Sequence, residues 1–220
     1  MNFEPALDFL KKLSKNNNRE WFEKHKPRYL EIKEQFEGFT SDLLNELVKF
    51  DESLGGLEPK KLVFRIYRDV RFSKDKTPYK THVSAGFSSA GKGMGIPGYY
   101  VQIEPGNKSF IASGLYMPPP ENVTKIRQEI DYNGDGLLKI LHEKKFKKNF
   151  GTLWDGDKLK TMPKGYPKDH PHIELLKLKS FIVEHSFRDN EVIEKKFLKN
   201  LVDVMKSAKP LNDFLKESLA

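Results

Sequence analysis

Apolar residues mark out the elements before composition is considered. Phe3, Leu7, Leu10 and Leu13 recur at helical spacing, which predicts an amphipathic helix ending at the Asn16-Asn17-Asn18 run. Asn17 with Glu20 three residues later has the form of a capping box, opening a short helix that carries Trp21 and Phe22. Pro27 fits the first turn of a further helix. Along that helix Tyr29, Ile32, Phe36, Phe39, Leu43, Leu47 and Phe50 form one stripe, with Glu and Lys opposite, and read as core packing. From residue 62 the period changes to two. Leu62–Phe72, Thr81–Phe87, Gly98–Glu104 and Ser109–Tyr116 read as strands, with a Gly-rich loop at Ser88–Gly98. After Pro118-Pro119-Pro120 the helical period returns. Val123, Ile126 and Ile130 share one face, and Leu137, Leu138 and Leu141 begin another helix. Residues 151–172 read as irregular, 173–179 as helical, Phe181–Phe187 as one more strand and 190–220 as helical. Helices, then strands, then helices predict a single α+β domain over residues 1–220. Its mostly antiparallel sheet of about four or five strands packs against N-terminal and C-terminal helices.

Composition narrows the class. The chain has 220 residues and no Cys, so it makes no disulfide or thiolate metal site and has no cysteine nucleophile. Its aromatic content (16 Phe, 8 Tyr, 2 Trp) argues against disorder. Apolar runs are too short for a membrane span. Met1–Lys15 carries acids and no apolar run before a cleavage site, so no secretory leader is expected, and the expected location is the cytoplasm. The net charge of +8 is concentrated. Residues 60–82 hold 8 bases and 2 acids, and residues 139–149 hold five Lys and one Glu. The second run reads as a solvated helix face. The first includes three Arg within an expected strand, which a merely solubilising surface does not need.

Alternation along Leu62–Phe72 places Arg65, Tyr67, Asp69 and Arg71 on one face, and Phe64, Ile66, Arg68, Val70 and Phe72 on the other. Arg68 is thus a cation in an apolar set and needs a carboxylate or a ligand anion, Glu104 being a candidate partner. Arg65 and Arg71, about 20 Å apart by strand rise, offer guanidinium forks suited to carboxylate or phosphate. The following turn adds Lys74, Asp75, Lys76, Tyr79, Lys80 and His82. The candidate anion-binding set is therefore Arg65, Tyr67, Arg68, Arg71, Lys74, Lys76, Tyr79 and Lys80, supported by Asp69, Asp75, His82 and Glu104. His82 is either a tuned base or a satisfied structural histidine. Asp75 either orients a lysine or caps the turn through its own backbone.

The run Arg68-Asp69-x-Arg71-Phe72-Ser73-x-Asp75-Lys76-x-Pro78-Tyr79-Lys80 resembles the hallmark of the DUF2461 family. Asn18-Arg19-Glu20-Trp21-Phe22, Gly98 to Pro105, Gly114 to Pro118, Pro163-Lys164-Gly165-Tyr166 and Leu178-Lys179 are similar to it too. The resemblance covers nearly the whole chain. It implies a single mixed α/β domain and carries no activity with it.

Other motifs are weaker. Asp131-Tyr132-Asn133-Gly134-Asp135-Gly136 opens like a calcium loop, but position 12 is His142 rather than Glu, so it reads as a turn connecting two helices. Asp169-His170-Pro171-His172 lacks the i, i+4 spacing of a metal pair. Gly91-x-Gly93-x-Gly95 lacks the crossover of a dinucleotide fingerprint and reads as a flexible lid or a plain loop. No Gly-x-Ser-x-Gly elbow or Walker A sequence occurs, and neither a cofactor nor a metal is called for. Three functions follow. The chain binds or acts on a small anion. Alternatively, it holds nucleic acid through basic strands with interleaved aromatics. Or it serves as an interaction scaffold with no ligand of its own. Asp69 and Asp75 within the basic strip favour a defined anion site.

Overall fold

The computed structural model describes residues 1–93 and 95–220, and Met94 lies outside them. The chain divides into two compact units, each assembled from three stretches. One comprises Met1–Lys92, Tyr100–Ile111 and Ser186–Val202, the other Gly93–Tyr99, Ala112–His185 and Asp203–Ala220. Strands β1 (Val83–Phe87), β2 (Gly98–Ile103), β3 (Ser109–Leu115) and β4 (Phe181–Phe187) form an antiparallel sheet in chain order. The α+β class and the antiparallel sheet agree with the sequence pattern.

In the first unit, α1 (Glu4–Lys15) buries Leu7, Leu10 and Leu13 as its spacing requires. Helix α2 (Arg19–Val48) is a single 30-residue helix rather than the two expected. Its N-cap is Asn18, whose side-chain oxygen accepts from the Trp21 amide at 2.9 Å, so the cap lies one residue later than the Asn17–Glu20 spacing indicated. Pro27 sits inside the helix. A proline there removes one intrahelical hydrogen bond. Pro27 and Glu23, whose carbonyl loses that donor, are both exposed, so water can replace it. Phe22 and Tyr29, buried on either side, hold the helix across the break. The stripe from Tyr29 through Ile32, Phe36, Phe39, Leu43 and Leu47 is buried, while Phe50 is half-buried just beyond the helix. The Phe3 ring packs edge-on against Phe39 at 4.9 Å and Phe197 at 5.6 Å. Full burial of one such ring contributes about 1.5–3 kcal/mol.

The expected strand Leu62–Phe72 is absent. A short helix, α3 (Pro59–Leu62), runs directly into extended chain. Its pairing is limited to isolated antiparallel bridges, Val63 with Ala85 and Tyr67 with Tyr79. Arg68 N donates to Pro78 O at 3.0 Å and Lys80 N to Ile66 O at 2.7 Å. Pro78 has no N–H to return, so the ladder cannot propagate. Beyond Arg68 the chain turns, with Ser73 N donating to Val70 O at 3.3 Å. The turn between β2 and β3 is clamped by Asp189, which opens α7 (Asp189–Val192). Its carboxylate accepts from Gly106 N at 2.8 Å and Asn107 N at 2.9 Å.

In the second unit, α4 (Pro120–His142) runs through the segment read as a helix-connecting turn, with one non-helical residue at Asn133 (φ −131°, ψ 34°). Gly134 lies against the His172 ring, where a Cβ would meet Cδ2 at 2.3 Å. Helix α5 (Lys144–Phe150) is capped by Glu143, whose carboxylate accepts from Phe146 N at 2.8 Å. Lys139, Lys144, Lys145, Lys147 and Lys148 are exposed, as a solvated face would be. After α6 (Ile173–Leu176), shorter than expected, comes β4. The C-terminal helical stretch is split into α7, α8 (Phe197–Ser207) and α9 (Lys209–Leu219), the last opening with Pro210 in its first turn. Ile126, Ile130, Leu137, Phe146, Phe181, Leu211 and Leu215 form this unit's core.

Candidate functional site

The expected site residues all lie in the first unit, in four groups that behave differently. The first is aromatic. Tyr79 is buried (3% exposed), and its ring stacks on Phe22 at 3.9 Å with 16° between planes. Tyr67 approaches Tyr79 at 5.4 Å and is half exposed. Asn17 clamps the Tyr79 backbone from both sides: its Nδ2 donates to Tyr79 O at 2.9 Å, and its Oδ1 accepts from Tyr79 N at 3.1 Å. Burial, with Tyr67 and Glu23 adding to it, raises the Tyr79 phenol above its ordinary value. Tyr79 is thus a packing residue.

The second group neutralises itself. Arg68 is half-buried and pairs with Asp75, not with Glu104; its Nη1 donates to Asp75 Oδ2 at 2.5 Å, to Thr77 O at 3.1 Å and to the Thr77 hydroxyl. Asp75 also accepts from Thr77 N at 2.9 Å, closing the turn as an Asx motif. The Thr77 N–H, then its hydroxyl, then Arg68 hold the Asp75 carboxyl below the ordinary range. Arg71 grips Asp69 with both fork nitrogens, Nε to Oδ1 at 3.0 Å and Nη2 to Oδ2 at 2.7 Å. That grip lowers Asp69 to about 2. Lys76 donates to Val70 O at 2.9 Å. Lys74 and Phe72 are exposed, Phe72 at 96% despite its expected core-facing position, because the alternation stops at the turn.

The third group is basic and has no acid partner among the described residues. Lys80 is half-buried, its Nζ 5.3 Å from the Phe64 ring centroid. Lys92 Nζ lies 5.5 Å from the same centroid and donates to Val63 O at 2.7 Å. Burial, then Arg65, then Lys92 lower the Lys80 ammonium below the ordinary lysine value. Among the described residues, no carboxylate lies within the 4.0 Å of an ion pair from Arg65, Lys80 or Lys92. Gly86 in β1 lies beneath the cluster: a Cβ there would sit 3.3 Å from the Phe64 ring and 3.4 Å from Lys92 Cα, so the ring packs close to the strand backbone. The Phe64 ring continues edge-on to Tyr100 at 6.0 Å.

Glu104 has a different role from the one expected. It accepts from the Thr81 hydroxyl at 3.0 Å and Gln102 Nε2 at 2.6 Å, with His82 Nδ1 at 3.6 Å. Burial is the largest single influence and pushes its carboxyl up, but His82 and Thr81 together outweigh it and leave the carboxyl below its ordinary value. His82 is thereby a structural partner of Glu104.

The profile of one family, described as a conserved hypothetical protein, matches residues 5–214. The chain belongs to the DUF2461 family. No curated protein and no solved structure matches it. Among the described residues of this DUF2461 chain, no three His, Asp or Glu side chains are grouped to hold a metal. His170 Nε2 instead meets Asp131 Oδ1 at 2.9 Å. Among the described residues no helix is long and apolar enough to cross a membrane. The lid expected around Gly91, Gly93 and Gly95 encloses Met94 and so falls partly outside the described residues; Ser88 and Gly91 at its start form an antiparallel bridge. Sequence reasoning missed Lys92, Phe64 as the shared ring and Asn17 as a backbone clamp. The available signal for Lys92 was its place in the Gly-rich loop after β1, as the lone charge between Val83 and Ile103.

Proposed function

We propose that this DUF2461 protein binds a small anion bearing phosphate or carboxylate groups, held by Arg65, Lys80 and Lys92 around the Phe64 ring. One observation carries the reading: two cations, Lys92 and half-buried Lys80, share one ring, Arg65 lies close enough to repel Lys80, and no carboxylate among the described residues is at ion-pair distance from the three. Contact with an aromatic face offsets only about 0.5–1 kcal/mol per exposed cation. A bound anion removes the remaining repulsion. Arg68 and Arg71 do not compete for it, because Asp75 and Asp69 already occupy their forks.

Thermal unfolding with inorganic phosphate, phosphate monoesters and dicarboxylates tests this. A ligand at 100 times its Kd should raise Tm by about 5–10 °C. Arg65→Met with Lys92→Met should abolish the shift, and Arg71→Ala should retain it. A shift that survives the double substitution would sink the assignment. A second reading, single-stranded nucleic acid, is favoured by Phe72, exposed beside Lys74 with Arg71 Cζ 5.8 Å from its ring centroid. Base stacking there is worth about 1–3 kcal/mol. Oligonucleotide binding that collapses with salt and with Phe72→Ala would select that reading instead.

A further inference from the structure

We propose that Lys80 is a nucleophile that condenses with the carbonyl group of an anionic aldehyde or keto acid bound beside it. The inference rests on the anion-binding reading and adds a reaction to it. An amine attacks only when unprotonated, and a lysine achieves this near neutral pH when desolvated or set next to other cations. Lys80 has both conditions: it is half-buried over Phe64, with Arg65 and Lys92 as its charged neighbours. The nearby acids are committed elsewhere, Asp69 to Arg71, Asp75 to Arg68 and Thr77, and Glu104 to Thr81, Gln102 and His82. None is within ion-pair distance to return the proton's stabilisation to the Lys80 ammonium.

Three cations also exceed what one carboxylate needs. A substrate with a single anionic group engages Arg65 and Lys92 and leaves Lys80 without a counter-charge. In the reaction the Lys80 nitrogen forms a bond to the carbonyl carbon and the carbon–oxygen bond breaks. The oxygen leaves as water, taking both amine protons, and the product is an imine. No oxidant, reductant or cofactor enters the balance.

Glyoxylate is the probe, the simplest aldehyde with a carboxylate. The full chain is incubated with it and cyanoborohydride at pH 7, and the reduced adducts are mapped by peptide mass spectrometry. A desolvated amine beside other cations carries more free base than a solvated one. Lys80 should therefore label ahead of exposed Lys74 and Lys108, a preference that neutral propionaldehyde does not reproduce. Arg65→Met with Lys92→Met should reduce Lys80 to the rate of Lys74. Lys80→Arg should lose the adduct. Labelling that follows exposure, with Lys74 ahead of Lys80, would overturn the proposal. Phosphate stabilisation persisting in that case would leave the anion-binding reading intact, and its absence would remove both.

Discussion

At the residue scale, charge in the basic strip is decided by which carboxylate each cation reaches. Arg71 and Arg68 lie in one turn with Asp69 and Asp75 and are neutralised there, whereas Lys80, Arg65 and Lys92 are left to one another. Glu104 shows the same logic with the sign reversed. Its carboxylate is anchored by Thr81, Gln102 and His82, and its folded-state pKa lies below the ordinary value. A group whose pKa falls on folding adds stability that is fully present above its unfolded pKa and disappears as pH drops through the folded one. Glu104→Gln should therefore lower stability at neutral pH and flatten the acid limb below about pH 5. Urea midpoints of both proteins across that range measure it, and parallel acid limbs would contradict the assignment. Sequence showed that Arg68 needs an acid, since alternation set it among apolar residues. It could not show which acid. Asp75 reaches Arg68 only because the chain reverses at residues 70–77, and strand periodicity carries no information about where a strand stops.

At the element scale, most of the fold was legible from periodicity. Strands β2 and β3 alternate buried and half-buried positions, β4 matches its expected span, and the buried stripe of α2 follows the apolar spacing. The failures occur where one residue overrides a pattern. Pro78 interrupts a ladder whose other strand has good alternation. Pro27 reads as a helix start, yet packing of Phe22 and Tyr29 carries the helix through it. Asn133 bends α4 where a loop was expected. The prolines differ in consequence, because Pro78 faces a bonding partner and Pro27 faces solvent. If α2 is continuous in spite of Pro27, then Pro27→Ala restores an N–H donor to Glu23 O and removes the ring clash. The substitution should stabilise the chain by about 1–3 kcal/mol, read as a higher urea midpoint at unchanged m-value. A loss of stability would mean that the proline ring makes a favourable contact the helix needs.

At the scale of the whole molecule, the question is whether the two units unfold separately. Each is assembled from three separate stretches of chain, and the divisions at 99/100, 111/112 and 185/186 fall inside β2, β3 and β4. A domain that unfolds alone ordinarily has boundaries in exposed linkers, and a strand is a poor place for one because its backbone hydrogen bonds are shared along its length. We infer that the chain behaves as one cooperative domain, as the order of helices, strands and helices suggested. The sequence supplies a direct test in its two tryptophans. Trp21 lies in the first unit, stacked on His25 at 4.0 Å, and Trp154 lies in the second, edge-on to Tyr116 at 5.9 Å. In Trp154→Phe the fluorescence reports the first unit, and in Trp21→Phe the second. Each substitution shifts stability on its own account, so each fluorescence curve is compared with far-ultraviolet circular dichroism of the same variant. Coincident fluorescence and dichroism midpoints in both variants are expected for an all-or-none transition. A dichroism curve with two steps, of which Trp21 follows one and Trp154 the other, would establish two folding units and remove the single-domain reading.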